Sequence, residues 1–186
     1  MTRIPNSWTL LGLRALLVSS ALPCGTGAQV PNDDVIEIEA SVILYVIANN
    51  HSHALEGPNR AICVGLGGPF DATDPYPELM RRFAAIDTLP VLPRSSCAFD
   101  EQRQFRGNRR PRLVVQQSGE PAIAVAAYAV EPPTSDSVRV SAGYYEDVLS
   151  SATYSCLVER RPSGWEVVGC DLREISQQRV PTPDNA

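Results

Sequence analysis

Lysine is absent from this chain, and all sixteen basic residues are arginine. The skew reads as a bias of genome composition and not as a nucleic-acid footprint. The net charge is −5, and an acidic chain repels polyanions over most of its surface. Histidine is scarce too: His51 and His53, in Asn49-Asn50-His51-Ser52-His53, are the only two. Ser–His–Asp or Cys–His catalysis would have to draw on that one segment. A metal site there has no third ligand in view, so the segment reads as a solvated loop after a helix, with metal binding or pH sensing as the alternative. No CxxC pair occurs, nor a dinucleotide or P-loop glycine spacing, nor an internal repeat. The chemistry these patterns would bring is therefore not indicated. No catalytic residue, metal ligand or cofactor is assigned, and no nucleic-acid partner is expected.

Long apolar runs are missing as well. The N-terminal one is broken by Arg14 and is too short to span a bilayer. What remains has the grammar of a secretory signal: Arg3 and Arg14 as the positive region, Ala15–Leu22 as the apolar region, and Thr26-Gly27-Ala28 as a small-residue cleavage site. The expected divisions are a signal peptide over 1–28, one domain over 29–179 and a frayed tail over 180–186. Removal of Arg3 and Arg14 takes the net charge from −5 to −7. The expected location is secreted or periplasmic. A membrane-anchored lipoprotein acylated at Cys24 is the alternative, disfavoured by Pro23 where a small residue belongs. The mature chain has no expected transmembrane span.

Cleavage after Ala28 also removes Cys24 and leaves Cys63, Cys97, Cys156 and Cys170, an even set suited to an oxidising compartment. Four cysteines allow three pairings. The run TYSCLVERRPSGWEVVGCD, residues 153–171, selects one of them. Two strand-like runs flank Pro162-Ser163-Gly164, which has the chemistry of a three-residue hairpin loop. With Arg161 and Trp165 closing it, Arg160 faces Glu166, Val158 faces Val168, and Cys156 faces Cys170. In that register the two cysteines form a non-hydrogen-bonded pair, at roughly 4.5–5.5 Å between Cα atoms, within reach of a disulfide. The expected bridges are thus Cys156–Cys170 and Cys63–Cys97.

Along the chain, Asn32, Asp33 and Asp34 are all possible caps for a helix carrying Ile36, Ala40, Ile43 and Ile47 on one face. Residues 61–66 read as a buried strand. The glycines at 65, 67 and 68 could cradle phosphate, but Pro69-Phe70-Asp71 separates them from the next helix, expected at Asp74 with Pro75 in its first turn. In residues 78–86, Leu79, Phe83 and Ile86 share a face. Residues 89–93 are extended by their prolines. Residues 98–112 lack periodicity and are locally +3, with Arg103, Arg106, Arg109, Arg110 and Arg112 beside Phe99 and Phe105. They read as a solvated loop or as a surface for an acidic partner. From Arg112 onward, strand-like runs at 113–117, 122–131, 137–145, 152–160 and 165–171 imply a β-meander with one buried face, covered by the helices. Glu146 and Asp147 fall where a turn is expected. The fold class is α+β: a helix and a smaller second helix on one face of a curved antiparallel sheet, with two disulfides.

The segments AICVGLGGPFDATDPYPELMRRF, PRSSC, AGYY and TYSCLVERRPSGWEVV resemble small exported bacterial α+β proteins of unassigned function. The resemblance implies an exported domain with a cysteine-closed loop and a final hairpin, and it carries over no site residue. More loosely, the order of helices followed by a curved meander is similar to NTF2-like cone folds. That likeness implies a ligand-binding or hydrolytic site in the concavity of the sheet. Two functions follow as expectations: a non-catalytic binding or structural domain, and such a cone.

Overall fold

The computed structural model describes residues 32–50, 61–68, 71–102, 104–105, 108–109, 111–128, 133, 135–147 and 150–176. The N-terminal segment with Cys24, both histidines, Arg103, Arg106, Arg110 and the tail 180–186 lie outside the described residues.

Helix α1, Asp33–Asn49, starts where Asn32 stops being helical and its side-chain oxygen accepts the Asp34 N–H at 3.0 Å. Of the three candidate caps it is Asn32 that works, which frees Asp33 and Asp34 to sit in the first turn against the positive end of the helix dipole. Helix α2 is short, Pro77–Arg82, and begins three residues later than expected. Pro75 and Pro77 each push the residue before them out of the helical region, so the helix cannot start until Pro77. Asp74 is thereby free to bond elsewhere, and its carboxylate accepts the Ser95 N–H and the Ser95 hydroxyl, both at 2.6 Å. This pins a 3-10 turn, Arg94–Ser96, beside the loop that precedes α2.

The strands are β1 Ala61–Leu66, β2 Val91–Pro93, β3 Cys97–Asp100, β4 Gln104–Phe105, β5 Asn108–Arg109, β6 Arg112–Val115, β7 Ala122–Ala127, β8 Ser137–Asp147, β9 Ser150–Arg161 and β10 Gly164–Ser176. The main sheet runs in the order β10-β9-β8-β7-β1-β2. Of the expected meander, β7 to β10 form, antiparallel throughout, while its first run, β6, pairs with β3 and β8 and not as a ladder with β7. Beyond it, β1 pairs parallel with both β7 and β2. Glu146 and Asp147, expected in a turn, belong to β8.

One face of the sheet packs on the helices. Ile36, Ile43 and Val46 of α1 and Leu79 of α2, with Phe83 just after it, meet Ile62, Val64, Ile123, Val125, Val140, Ala142, Tyr144, Cys156, Val158 and Trp165. The opposite face of β1, β7 and β8 is also covered, contrary to the single buried face expected. Strand β3 pairs with β6 over Cys97–Asp100 and Arg112–Val115, and this ribbon lays Cys97, Leu113 and Phe99 over Ala61, Cys63, Ala124 and Tyr145. Strands β1 and β7 therefore bury both sides, which accounts for their unbroken apolar sequences. Cys63–Cys97 ties β1 to the ribbon, and Cys156–Cys170 closes β9 on β10.

The hairpin reaches the expected cysteine pair by a different count. Its ladder closes on Arg161 and Gly164, leaving only Pro162 and Ser163 in the loop, so Arg160 faces Trp165 and Val158 faces Val167. A bulge between Val167 and Gly169 leaves Val168 as an extra residue and brings Cys170 back opposite Cys156. Gly164, at φ +125°, supplies the conformation this shorter closure needs. A Cβ there would also run into the Glu37 carboxylate.

Candidate functional site

The tip of that hairpin is held by the first turns of α1. Asp34 accepts from the Trp165 indole at 3.0 Å and from Arg160 at 2.6 Å, while the Trp165 backbone N–H donates to Glu37 at 3.2 Å. The Arg160 guanidinium lies 4.5 Å from the centre of the Trp165 ring. The hydrogen bonds from Arg160 and Trp165 hold the Asp34 carboxyl below its ordinary range. Each of these partners is used up in fastening the hairpin to the helix, so this clasp is structural.

Of the arginines in the arginine-rich run, only Arg109 and Arg112 fall among the described residues. Arg109 sits in β5, whose backbone pairs with β4. Arg112 does not belong to the surface: it is 2 % exposed and stands across the ladders from Asp100 on β3 and Asp147 on β8. A buried guanidinium needs carboxylates around it, and the strand register supplies them. Nearby, the Tyr145 hydroxyl donates to the Pro111 carbonyl at 3.2 Å, and burial first, then the Asp147 charge, pushes its pKa up to about 12. The Phe99 ring stands edge-on to Tyr145 at 5.3 Å and carries the Arg94 guanidinium over its face, also at 5.3 Å.

The glycine loop after β1 has a packing role. A Cβ on Gly65 would collide with the Ala72 side chain, and the Gly67 N–H donates to the Ala127 carbonyl at 2.7 Å. That amide is spent on the sheet.

Two further carboxylates are buried, and residue spacing signalled neither clearly. Glu39, on α1, is 1 % exposed and accepts from the Tyr76 hydroxyl at the start of α2. Glu146, also 1 % exposed, sits where the β8–β9 register shifts between Tyr145 and Asp147, and accepts from the Ser150 hydroxyl at 2.7 Å. The Tyr144 hydroxyl bonds to Ser150 in turn. The rings of Tyr144 and Tyr154 lie 6.4 Å apart, and Tyr45 of α1 bears on Tyr154. Burial first raises both the Tyr144 and Tyr154 pKa values, so both phenols stay protonated at neutral pH. The region near the β8–β9 connection thus gathers three phenols, a hydroxyl and a carboxylate. Such a set can orient a polar molecule by hydrogen bonds. As a nucleophile Ser150 has a carboxylate beside it, and both histidines of the chain lie outside the described residues. Glu39 falls on the apolar arc of α1 between Ile36 and Ile43, which is the one signal that could have flagged it. Glu146 could not be found, because its burial depends on a bulge.

Among the described residues no group of three or more His, Cys, Asp and Glu side chains is placed to hold a metal, and no helix is long and apolar enough to cross a membrane. Comparison with protein-family models, with curated proteins and with solved structures finds no match to this chain. Any reading of its function therefore rests on its own residues.

Proposed function

We propose that this chain is an exported bacterial domain, secreted or periplasmic, that binds or supports a partner without catalysing a reaction. The observation that carries the reading is the filled layer between α1 and the sheet. A cone of the NTF2-like kind would keep its ligand there, and in this chain Ile43, Val46, Val125, Ala142 and Val158 occupy that space. Export is supported by the signal-like segment before Gln29 and by two disulfides that use all four remaining cysteines. An acidic partner is the chemistry suited to the arginine-rich run 98–112, whose local charge opposes that of the rest of the chain.

Protein recovered from its host tests the reading twice. Its N-terminal residue is expected at or near Gln29, and an intact Met1 in the cytosol would end the export reading. A pull-down is expected to yield an anionic partner that salt releases and that Arg109→Ser with Arg110→Ser retains poorly. Equal recovery by the variant would remove the arginine-rich run as the binding surface. The second reading, a small-ligand or hydrolytic site, is favoured by the Tyr144–Ser150–Glu146 chain alone. Turnover of an ester, phosphate or glycoside that Ser150→Ala abolishes would put that reading first.

A further inference from the structure

The two edges of the main sheet are protected very unequally. Strand β2 is three residues long, ends in Pro93 and follows Pro90, so it offers a neighbouring strand almost nothing to pair with. Strand β10, at the other edge, has thirteen residues and no proline. It also carries Val168, Leu172 and Ile175, three of the five exposed large hydrophobic residues among those described. Leu172 lies opposite Tyr154 and Ile175 opposite Ala152, two positions on the same face of β9. The bulge at Arg173 thereby brings residues three apart onto one side of the sheet, where they continue the helix-facing apolar layer out to the edge. Between them stand Arg173 and Glu174, both exposed, and neither has an ion-pair partner among the described residues.

Leu172-Arg173-Glu174-Ile175 is complementary to itself when reversed. Laid antiparallel on a second copy, Leu172 meets Ile175 of the second copy and Arg173 meets Glu174 of the second copy, and a two-fold axis repeats both pairs. We propose that two copies of this chain associate through their β10 edges in this register. The second bulge, at Val168, confines the contact to the C-terminal half of the strand, where both copies carry the same bulge at Arg173. Because the contact is isologous, each edge is consumed by its partner and the assembly closes at two. The proposal stands whether or not the partner reading above is right.

Sedimentation of the mature protein over a range of concentrations tests it, with the far-UV spectrum and thermal midpoint of each variant confirming the fold. The wild type is expected to be a reversible dimer, and Leu172→Glu a monomer. Arg173→Glu alone, or Glu174→Arg alone, puts like charges together twice and is expected to weaken the dimer by roughly tenfold. The double variant, Arg173→Glu with Glu174→Arg, restores the opposite-charge pairs and with them the dimer. A wild type that stays monomeric would overturn the proposal, and so would an oligomer indifferent to the single reversals.

Discussion

Replacing Tyr76 by Phe removes one oxygen and leaves a buried carboxylate short of a donor. Glu39 is 1 % exposed, among apolar neighbours on α1, and the Tyr76 hydroxyl reaches it from the start of α2. A hydrogen bond to a charged acceptor contributes roughly 1.5–3 kcal/mol, and water cannot easily take the place of this one. For a domain of this size the expected fall in melting temperature is about 2–4 °C for each kcal/mol. Urea titration should show the loss as a lower midpoint at an unchanged slope. The decisive comparison is with Glu39→Leu combined with Tyr76→Phe, which removes both partners and should recover much of the loss. The alkaline limb gives a second reading. Burial first, and then Glu39, raise the Tyr76 pKa above its unfolded value. Its contribution is therefore complete below about pH 10 and is lost as the pH climbs beyond that. The Tyr76→Phe protein should lose stability less steeply in that range. A single variant within about 0.5 kcal/mol of wild type, or a double variant as costly as the sum of the singles, would show that the pair is not coupled.

The two disulfides should differ in value. Cys63 and Cys97 are 34 residues apart and Cys156 and Cys170 only 14, so chain entropy suggests about 4 and about 3 kcal/mol respectively. The hairpin already restricts its reduced chain, which widens the gap. Chemical denaturation of the two paired-serine variants should find Cys63→Ser with Cys97→Ser the less stable, and the reverse order would refute the assignment. At low pH, Asp34 should matter. Its folded pKa is depressed by Arg160 and Trp165, so its contribution is present above the unfolded value near 3.9 and is lost as pH falls through the lower folded value. Melting temperature followed against pH should show a shallower acid limb in Asp34→Asn than in wild type, and parallel limbs would refute the assignment.

Much of the fold was legible because local chemistry and long-range pairing agree in it. The α1 periodicity with a cap among Asn32, Asp33 and Asp34, the meander from β7 to β10 and both cysteine pairs could all be read from residue spacing. The hairpin is instructive in its detail. A three-residue loop with no bulge and a two-residue loop with one bulge both place Cys170 opposite Cys156. The pairing was accessible while the path to it was not, because a bulge at Val168 leaves no mark in composition. Strand β3 was missed for a related reason. Cys97-Ala98-Phe99-Asp100 is too short to show alternation, and it becomes a strand only because β6 comes back beside it. The parallel pairing of β1 likewise depends on a long crossover that no local signal announces. Of the site residues, the buried charges Glu146 and Arg112 went unseen, since their burial is decided by register and not by residue type, whereas Glu39 lay on the apolar arc of α1. The arginine-rich run was visible, but the inward turn of Arg112 was not.

The bridge between β9 and β10 also gives the molecule a mechanical stop. Strand β10 lies at the edge of the sheet, and β9 is the only strand it pairs with. A pull on the C-terminus would load its rungs one at a time, the weak geometry in which a strand unzips instead of shearing. Peeling would run from Ser176 back to Asp171 and release about 20 Å of chain. At Cys170 it would meet a covalent bond to Cys156. Beyond that point force passes into β9, which is paired on both sides, and the load is shared by the interior of the sheet. A protease or an unfoldase working from that end would strip the strand easily as far as Asp171, and then gain nothing more without reducing the bridge.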